Sequence, residues 1–409
     1  MLWLCLLTTA ILIAGYLLCT FYSGNAKVAF VGAMVIWFFA TTGLSIRPQM
    51  IGYLLLIAEL LLMHFGRTHS PRWFFGLPLL FALWINCHGS FFLGVGLAVT
   101  LYLCSFFNFR AGSLVASSWK PYGRNMLGFA LLLSIAALFL NPIGIGQILY
   151  PINTLLHQPI ALSLSREWMP TQMNGGRGLG LLLLLGTIFL LVIVQRSELF
   201  WDELVMLALG TWLGVSHQRL LFVFGILAAP ILSRLLAHSW EGYDAAQDHP
   251  ILNAGLMGAS LLFILWGFPN RQNLIRQVDQ GNPTQAVTFI QTHHLAGNML
   301  NDYVYGGYLI WSAPDHPVFV DGRSDVFEWT GVLATYGKWA FLQSDPNMLL
   351  DQYNISFCLL ARNSPMARVL PLLPNWKPIY TDHLATIFIR TSSTGLSPNT
   401  GPHQVATSH

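Results

Sequence analysis

The sequence predicts an α-helical polytopic membrane protein of about ten transmembrane helices, followed by a small C-terminal α/β domain. Three observations carry that prediction. Of the 409 residues, 54% are hydrophobic and 9% charged, where a soluble domain carries about a quarter charged residues. Apolar stretches near the roughly twenty residues that cross a bilayer recur from residue 2 to residue 268. After residue 270 the apolar runs give way to amphipathic and strand-like ones. The expected division is a transmembrane domain over 1–269, a soluble α/β domain over 270–391 and a disordered tail over 392–409.

Taken in order, spans are expected over 2–22, 28–46, 49–65, 126–142, 179–195, 203–217, 219–236 and 251–268. The stretch 74–107 is too long for one span, and Asn86, Cys87, His88, Gly89 and Ser90 interrupt it. Two short helices meeting at a turn account for both facts, and bring the number of spans to ten. No internal repeat is visible. The N-terminus lacks the basic region and small-residue cleavage site of a signal peptide.

Sidedness follows from lysine and arginine. With the 86–90 turn facing outward, Lys27, Arg67, Arg72, Arg110, Lys120, Arg124, Arg196 and Arg234 collect on one side. Arg47, Arg166, Arg177 and Arg219 remain on the other. The first set is expected in the cytoplasm. The expectation is a protein of the inner (plasma) membrane whose N-terminus and C-terminal domain are extracytoplasmic.

In the tail, "PTQAVTFIQTHHL" reads as an amphipathic helix and "PVFVDGRSD" as a buried strand running into a turn. "ISFCLLAR" reads as another strand, and "WKPIYTDHLATIFIR" as a closing hairpin. Helices alternating with short β-rich runs predict the α/β class. The Ser/Thr/Pro/Gly-rich end has the composition of disorder. The five cysteines show no CxxC or Cys/His ligand spacing, so neither a disulfide framework nor a zinc site is expected.

Five polar clusters then fall on the outer face: "SIRPQ" at 45–49, "NCHGS" at 86–90, "NPIG" with "SREWMP", "SHQR" at 216–219, and the late "DGRSD" at 321–325. Ionisable groups at the membrane boundary are costly unless paired, hydrated or functional. Arg47, His88, Arg166, Glu167, His217 and Arg219 around one cavity would suit a phosphate or diphosphate, because arginine offers a rigid fork of donors. Each residue also has a plainer reading. Arg47 can anchor a helix end, Asn86 can satisfy backbone groups freed at the helix break, and Glu167 can sit with Trp168 in an interfacial belt. Glu59, in mid-span, is either functional or packed against a polar partner. Asp321, Arg323 and Asp325 either hold a sugar or metal or form a self-satisfied turn. Gly306 and Gly307 permit close backbone approach.

The motifs "RPQ", "LWINCHGSFFLG", "NPIG", "REWMP", "HQRLLFVFGILAAP", "NDYVYGGYLIW" and "PVFVDGRSDVF", together with the closing hairpin, resemble those of a widespread group of bacterial multi-pass proteins. That group is of the GT-C glycosyltransferase type, related in architecture to dolichyl-phosphate-mannose mannosyltransferases and oligosaccharyltransferases. The resemblance implies transfer of a sugar from a polyprenyl-phosphate donor on the outer face. From the placement of the residues themselves, not from the resemblance, Glu167 and His88 are the candidate catalytic residues. Arg47, Asn86, Arg166, His217, Arg219, Asp321 and Arg323 are the candidate substrate-binding ones. The expected partners are a polyprenyl-phosphate-linked sugar and the bilayer, with no nucleic acid. The cofactor is open, a divalent metal being one option.

GT-C enzymes carry an acidic residue in their first outer loop. Here Met1 opens directly on a span, as a chain lacking its first helix and acidic loop would. The carboxylate expected by resemblance is then not visible, and the base is missing unless Glu167 or Glu59 serves. Two other readings remain: a polysaccharide polymerase or ligase of the O-antigen type, in which the carboxylate is dispensable, and a non-catalytic membrane partner or transporter with an outer binding domain.

Overall fold

The computed structural model describes every residue except 1, 42, 45, 46, 160, 161, 163–165, 241–243, 245, 247, 248, 268, 269 and 392–409. The expected disordered tail therefore lies outside the described residues. Chain contacts divide the protein into two units, Met1–Pro250 and Ile251–His409.

The first unit is a helical bundle. Helix α1 (Leu2–Ser23) turns at Gly24 into α2 (Ala26–Ala40), whose start is fixed by Asn25 accepting from the N–H groups of Lys27 and Val28. Then come α3 (Gln49–Thr68), a short 3₁₀ turn over 71–75, α4 (Gly76–Cys87) and α5 (Phe91–Cys104). A hairpin of β1 (Phe109–Ala111) and β2 (Leu114–Ala116) leads to α6 (Pro121–Ala137), α7 (Ile145–His157) and α8 (Gly176–Gln195). Strand β3 (Leu199–Phe200) lies parallel to β2 and runs into α9 (Trp201–Ser216), followed by α10 (Leu221–His238). Helix α10 is apolar all round because it is the core: nearly every residue from Leu221 to Leu235 is buried. Helices α1 and α8 instead expose apolar residues such as Leu6, Ile13, Leu183 and Ile193, the face a bilayer would cover.

Among the described residues, four helical stretches are long and apolar enough to cross a membrane: Trp3–Ser23, Gln49–Thr68, Gly176–Gln195 and Gln218–His238. Ten spans were expected, two of them formed by the short helices on either side of residues 86–90. Helices α4 and α5 have 12 and 14 residues, about 18–21 Å of axis against a hydrocarbon core of about 30 Å. The break expected near 86–90 is present, but each half falls short of a full crossing. Helix α7 and the β1–β2 hairpin lie where no element was expected.

The second unit begins one residue into α11 (Pro250–Gly267), which is followed by α12 (Arg271–Gly281). Its sheet has the order β4-β5-β7-β6, from β4 (Asn298–Asn301), β5 (Ile355–Ala361), β6 (Trp376–Thr381) and β7 (Ala385–Arg390). β4 and β5 are parallel, the other pairs antiparallel. Alternation sorts the strands: Leu300, Cys358, Leu360 and Phe388 enter one core, while Met299, Phe357, Leu359 and Ile387 enter the other. α13 (Thr284–Thr292) covers the second core. α14 (Gly306–Ser312) contributes Leu309 there too. The first core is covered by α16 (Val332–Ala340), α17 (Pro346–Gln352) and α18 (Pro365–Val369), α15 (Ser324–Trp329) lying before them in the chain. A central strand covered on both faces reads as a continuous apolar run, and that is why "ISFCLLA" is legible.

The expected strand in "PVFVDG" is absent. Asn301 takes its place in the hydrogen bonding, its amide accepting from Phe319 N–H at 2.7 Å and donating to Val320 O at 2.8 Å. A buried side chain thus satisfies backbone that a ladder would otherwise have paired.

Candidate functional site

One end of the first unit gathers the C-terminus of α2, the N-terminus of α3, the α4–α5 turn and the α9–α10 junction. Arg47 immediately precedes Pro48, the N-cap of α3, and a residue before proline is kept out of helical conformation. It therefore stands at the helix mouth. Its Nη1 donates to both oxygens of Glu167, at 2.6 and 2.7 Å. Glu167 lies on a single 3₁₀ turn, Arg166–Trp168. That segment is tied to the α9–α10 junction: Thr171 donates from N to Val215 O and from Oγ1 to Gly214 O, and Gln218 N–H donates to Met169 O. These bonds satisfy carbonyls freed at the end of α9.

Arg219 Nη1 lies 4.0 Å from Glu167 Oε2, and its guanidinium sits 5.5 Å from the Trp168 ring centre. His217 meets the same ring edge-on at 5.3 Å, and its buried Nδ1 has no hydrogen-bond partner among the described residues. Tyr53, in contact with Phe222, donates to Arg219 O at 3.4 Å and itself accepts from Gln49. The sequence reading did not single out Tyr53. The signal was its spacing of four from Gln49, which puts both on one face of α3.

His88 belongs to an adjoining network. Ser90 N–H donates to His88 Nδ1 at 3.1 Å, Ser90 Oγ lies 2.9 Å from it, and Trp84 Nε1–H donates to that hydroxyl at 3.0 Å. Nδ1 is thereby an acceptor, so the neutral ring carries its proton on Nε2. Gly52 of α3 allows this approach, since a Cβ there would lie 2.4 Å from Ser90 Oγ. Burial, with the Arg219 guanidinium adding to it, pushes the His88 pKa down to about 4.

A consequence follows for stability. The unfolded ring protonates near 6.5, the folded one near 4, so between those values the unfolded chain holds the extra proton. Stability then falls as pH drops through that window. His88→Gln should flatten this part of the pH dependence, read from unfolding midpoints of detergent-solubilised protein between pH 4 and 7. An unchanged slope would remove His88 from this role.

Other candidates take plainer places. Asn86 donates to Ala82 O at 2.7 Å and Leu140 O at 2.8 Å, mending one helix end and clasping the end of another. Asn141 of "NPIG" closes its own turn through Ile143 and Gly144 N–H. The side chains of Arg166 and Asp325 lie outside the description. In the second unit, Arg323 forks onto Asp321, with Nε at 2.9 Å and Nη2 at 2.5 Å from carboxylate oxygens, and the turn satisfies itself. These bonds hold the Asp321 carboxyl below its ordinary pKa. Glu59 is 1% exposed, and neither of its oxygens has a hydrogen-bond partner among the described residues. It packs where a Cβ on Gly94 would meet both its Oε2 and Trp84. Among the described residues no three His, Cys, Asp or Glu side chains converge as a metal would require.

No family model matches the chain, and no curated protein matches it. Among solved structures it is similar to the Archaeoglobus fulgidus oligosaccharyltransferase tethered to an acceptor peptide containing the NVT sequon. The TM-score is 0.48 at 10% identity, over 86% of this chain and 56% of that one. The same enzyme in complex with Zn and sulfate gives 0.44 at 10%, over 86% and 54%. The chain thus spans little more than half the length of these structures. A likeness of this degree assigns no residue a role.

Proposed function

We propose that this chain is a membrane glycosyltransferase of the GT-C type, moving a sugar from a polyprenyl-phosphate donor to an acceptor on the outer face of the inner membrane. The observation that carries the reading is the Arg47–Glu167–Arg219 cluster. Two guanidiniums share one carboxylate at a helix-bundle end, leaving one positive charge in excess where a lipid phosphate would arrive. His88 adds a neutral Nε2–H donor beside them.

In this mechanism the donor phosphate draws Arg47 away from Glu167 and takes its fork, with Arg219 on the other side. The released carboxylate accepts the proton of the acceptor hydroxyl as that oxygen attacks the anomeric carbon. The bond to the phosphate oxygen breaks with inversion, and the two arginines stabilise the departing phosphate. His217 is a further substrate-binding residue, its Nδ1 having no hydrogen bond among the described residues. Asn86, Asp321 and Arg323 are left in structural roles. The outward orientation rests on the eight-to-four distribution of basic residues in the sequence.

The test is donor binding by reconstituted protein. A charge-assisted contact contributes roughly 1.5–3 kcal/mol, so Arg47→Ala and Arg219→Ala should each weaken binding of polyprenyl phosphate by about tenfold or more. Unfolding midpoints serve as the control for folding. Unchanged binding in both variants would overturn the proposal.

A further inference from the structure

A cavity of about 340 Å³ lies at the other end of the first unit, within the ~300–1,000 Å³ range of small-molecule sites. Helix α3 runs about 30 Å between Gln49, by the first site, and Thr68, at this one. Its mouth holds two ion pairs of different character. Arg234 makes three hydrogen bonds: Nε and Nη2 donate to both oxygens of Glu203 at 2.6 Å and Nη2 also reaches Glu198 O at 2.9 Å, while Glu203 accepts Phe200 N–H as well. Arg67 makes one hydrogen bond among the described residues, from Nη1 to one oxygen of Asp202, and is more exposed than Arg234. It rests over Trp119 and Phe200 at 5.3 and 5.9 Å. Its remaining donors and the other Asp202 oxygen have no hydrogen bond among the described residues.

The two pairs sum to no net charge, so a lone anion or a lone cation gains as much repulsion as attraction there. A zwitterion meets an opposite charge at each end. Below the mouth the lining turns apolar, with Leu60, Met63, Leu227 and Ile231, which suits a chain attached to that head group. From this arrangement we infer that the cavity binds a zwitterionic phospholipid carrying a primary ammonium, its phosphate on Arg67 and its ammonium on Asp202. The site is separate from the proposed sugar-transfer site and does not depend on that reading.

The experiment uses the full chain, delipidated in a non-ionic detergent, with native mass spectrometry and unfolding midpoints as readouts. Short-chain phosphatidylethanolamine should be retained and raise the midpoint. Phosphatidylglycerol lacks the ammonium, and free phosphoethanolamine lacks the tails; neither should reproduce the effect. Phosphatidylcholine, whose quaternary ammonium donates no hydrogen bond, should bind more weakly. Arg67→Gln and Asp202→Asn should each weaken phosphatidylethanolamine binding at least tenfold. Arg110→Gln, which breaks the Arg110–Glu198 pair away from the cavity lining, should leave it unchanged. Equal binding of phosphatidylglycerol, no binding of phosphatidylethanolamine, or undiminished binding in Asp202→Asn would overturn the inference. Should that variant fail to fold, the preference of the wild-type protein among the four compounds decides.

Discussion

Glu167→Gln should lower turnover by about two to four orders of magnitude, the range over which a positioned general base acts, while donor binding stays within a few-fold of wild type. The substitution keeps the shape of the side chain and one oxygen for Arg47, but the amide cannot take a proton. Arg47 and Arg219 remain to meet the phosphate, so the loss should fall on kcat and spare KM for the donor. The measurement is single-turnover transfer in proteoliposomes, set beside equilibrium binding of the same donor. The outcome separates the rival readings. Retained turnover in Glu167→Gln, with turnover lost in Arg219→Ala, would move the protein to the polymerase or ligase type, in which the carboxylate is dispensable. Loss of donor binding in Glu167→Gln would make the residue a scaffold for the arginines instead.

How much of this could be read from the sequence depends on the range of each interaction. The helix break at His88 was legible because a polar run inside an apolar one has few alternatives. The closing hairpin, whose Asp382 accepts from Leu384 and Ala385 N–H, is local for the same reason. The cluster was legible in its members but not in its pairing: Arg47 and Glu167 are 120 residues apart, and only the docking of 166–171 onto the α9–α10 junction joins them. Helix α7 was hidden by Pro151 in its middle, which reads as a helix breaker. Of the ion pairs around the cavity of about 340 Å³, the sequence offers only Arg67 and Arg234, as basic residues that bear on sidedness. Glu59 stood out as an intramembrane carboxylate, yet the polar partner considered for it is absent among the described residues. The sequence cannot report that kind of vacancy, because it depends on what α4 and α5 bring alongside.

The dipeptide Gly306–Gly307 shows the same limit, and its two halves should respond with opposite signs. Both are helical, at the start of α14, where alanine would ordinarily be favoured by up to about 1 kcal/mol. At Gly307 a Cβ meets nothing within 4 Å, so Gly307→Ala should be neutral or stabilising by that amount. At Gly306 the added carbon would lie 2.2 Å from Val320 O and 2.6 Å from Asp321 Cα. These are backbone atoms, and they cannot swing aside as a side chain can. Gly306→Ala should therefore destabilise by roughly 1–3 kcal/mol, the usual cost of overpacking. The displaced segment is the one Asn301 holds through Phe319 N–H and Val320 O, so the damage should have a local signature. Hydrogen exchange at the Phe319 amide should speed up in Gly306→Ala and stay at the wild-type rate in Gly307→Ala. Equal protection in the two variants would mean that the 318–321 segment yields freely, and that Asn301 does not fix it in place of the missing strand.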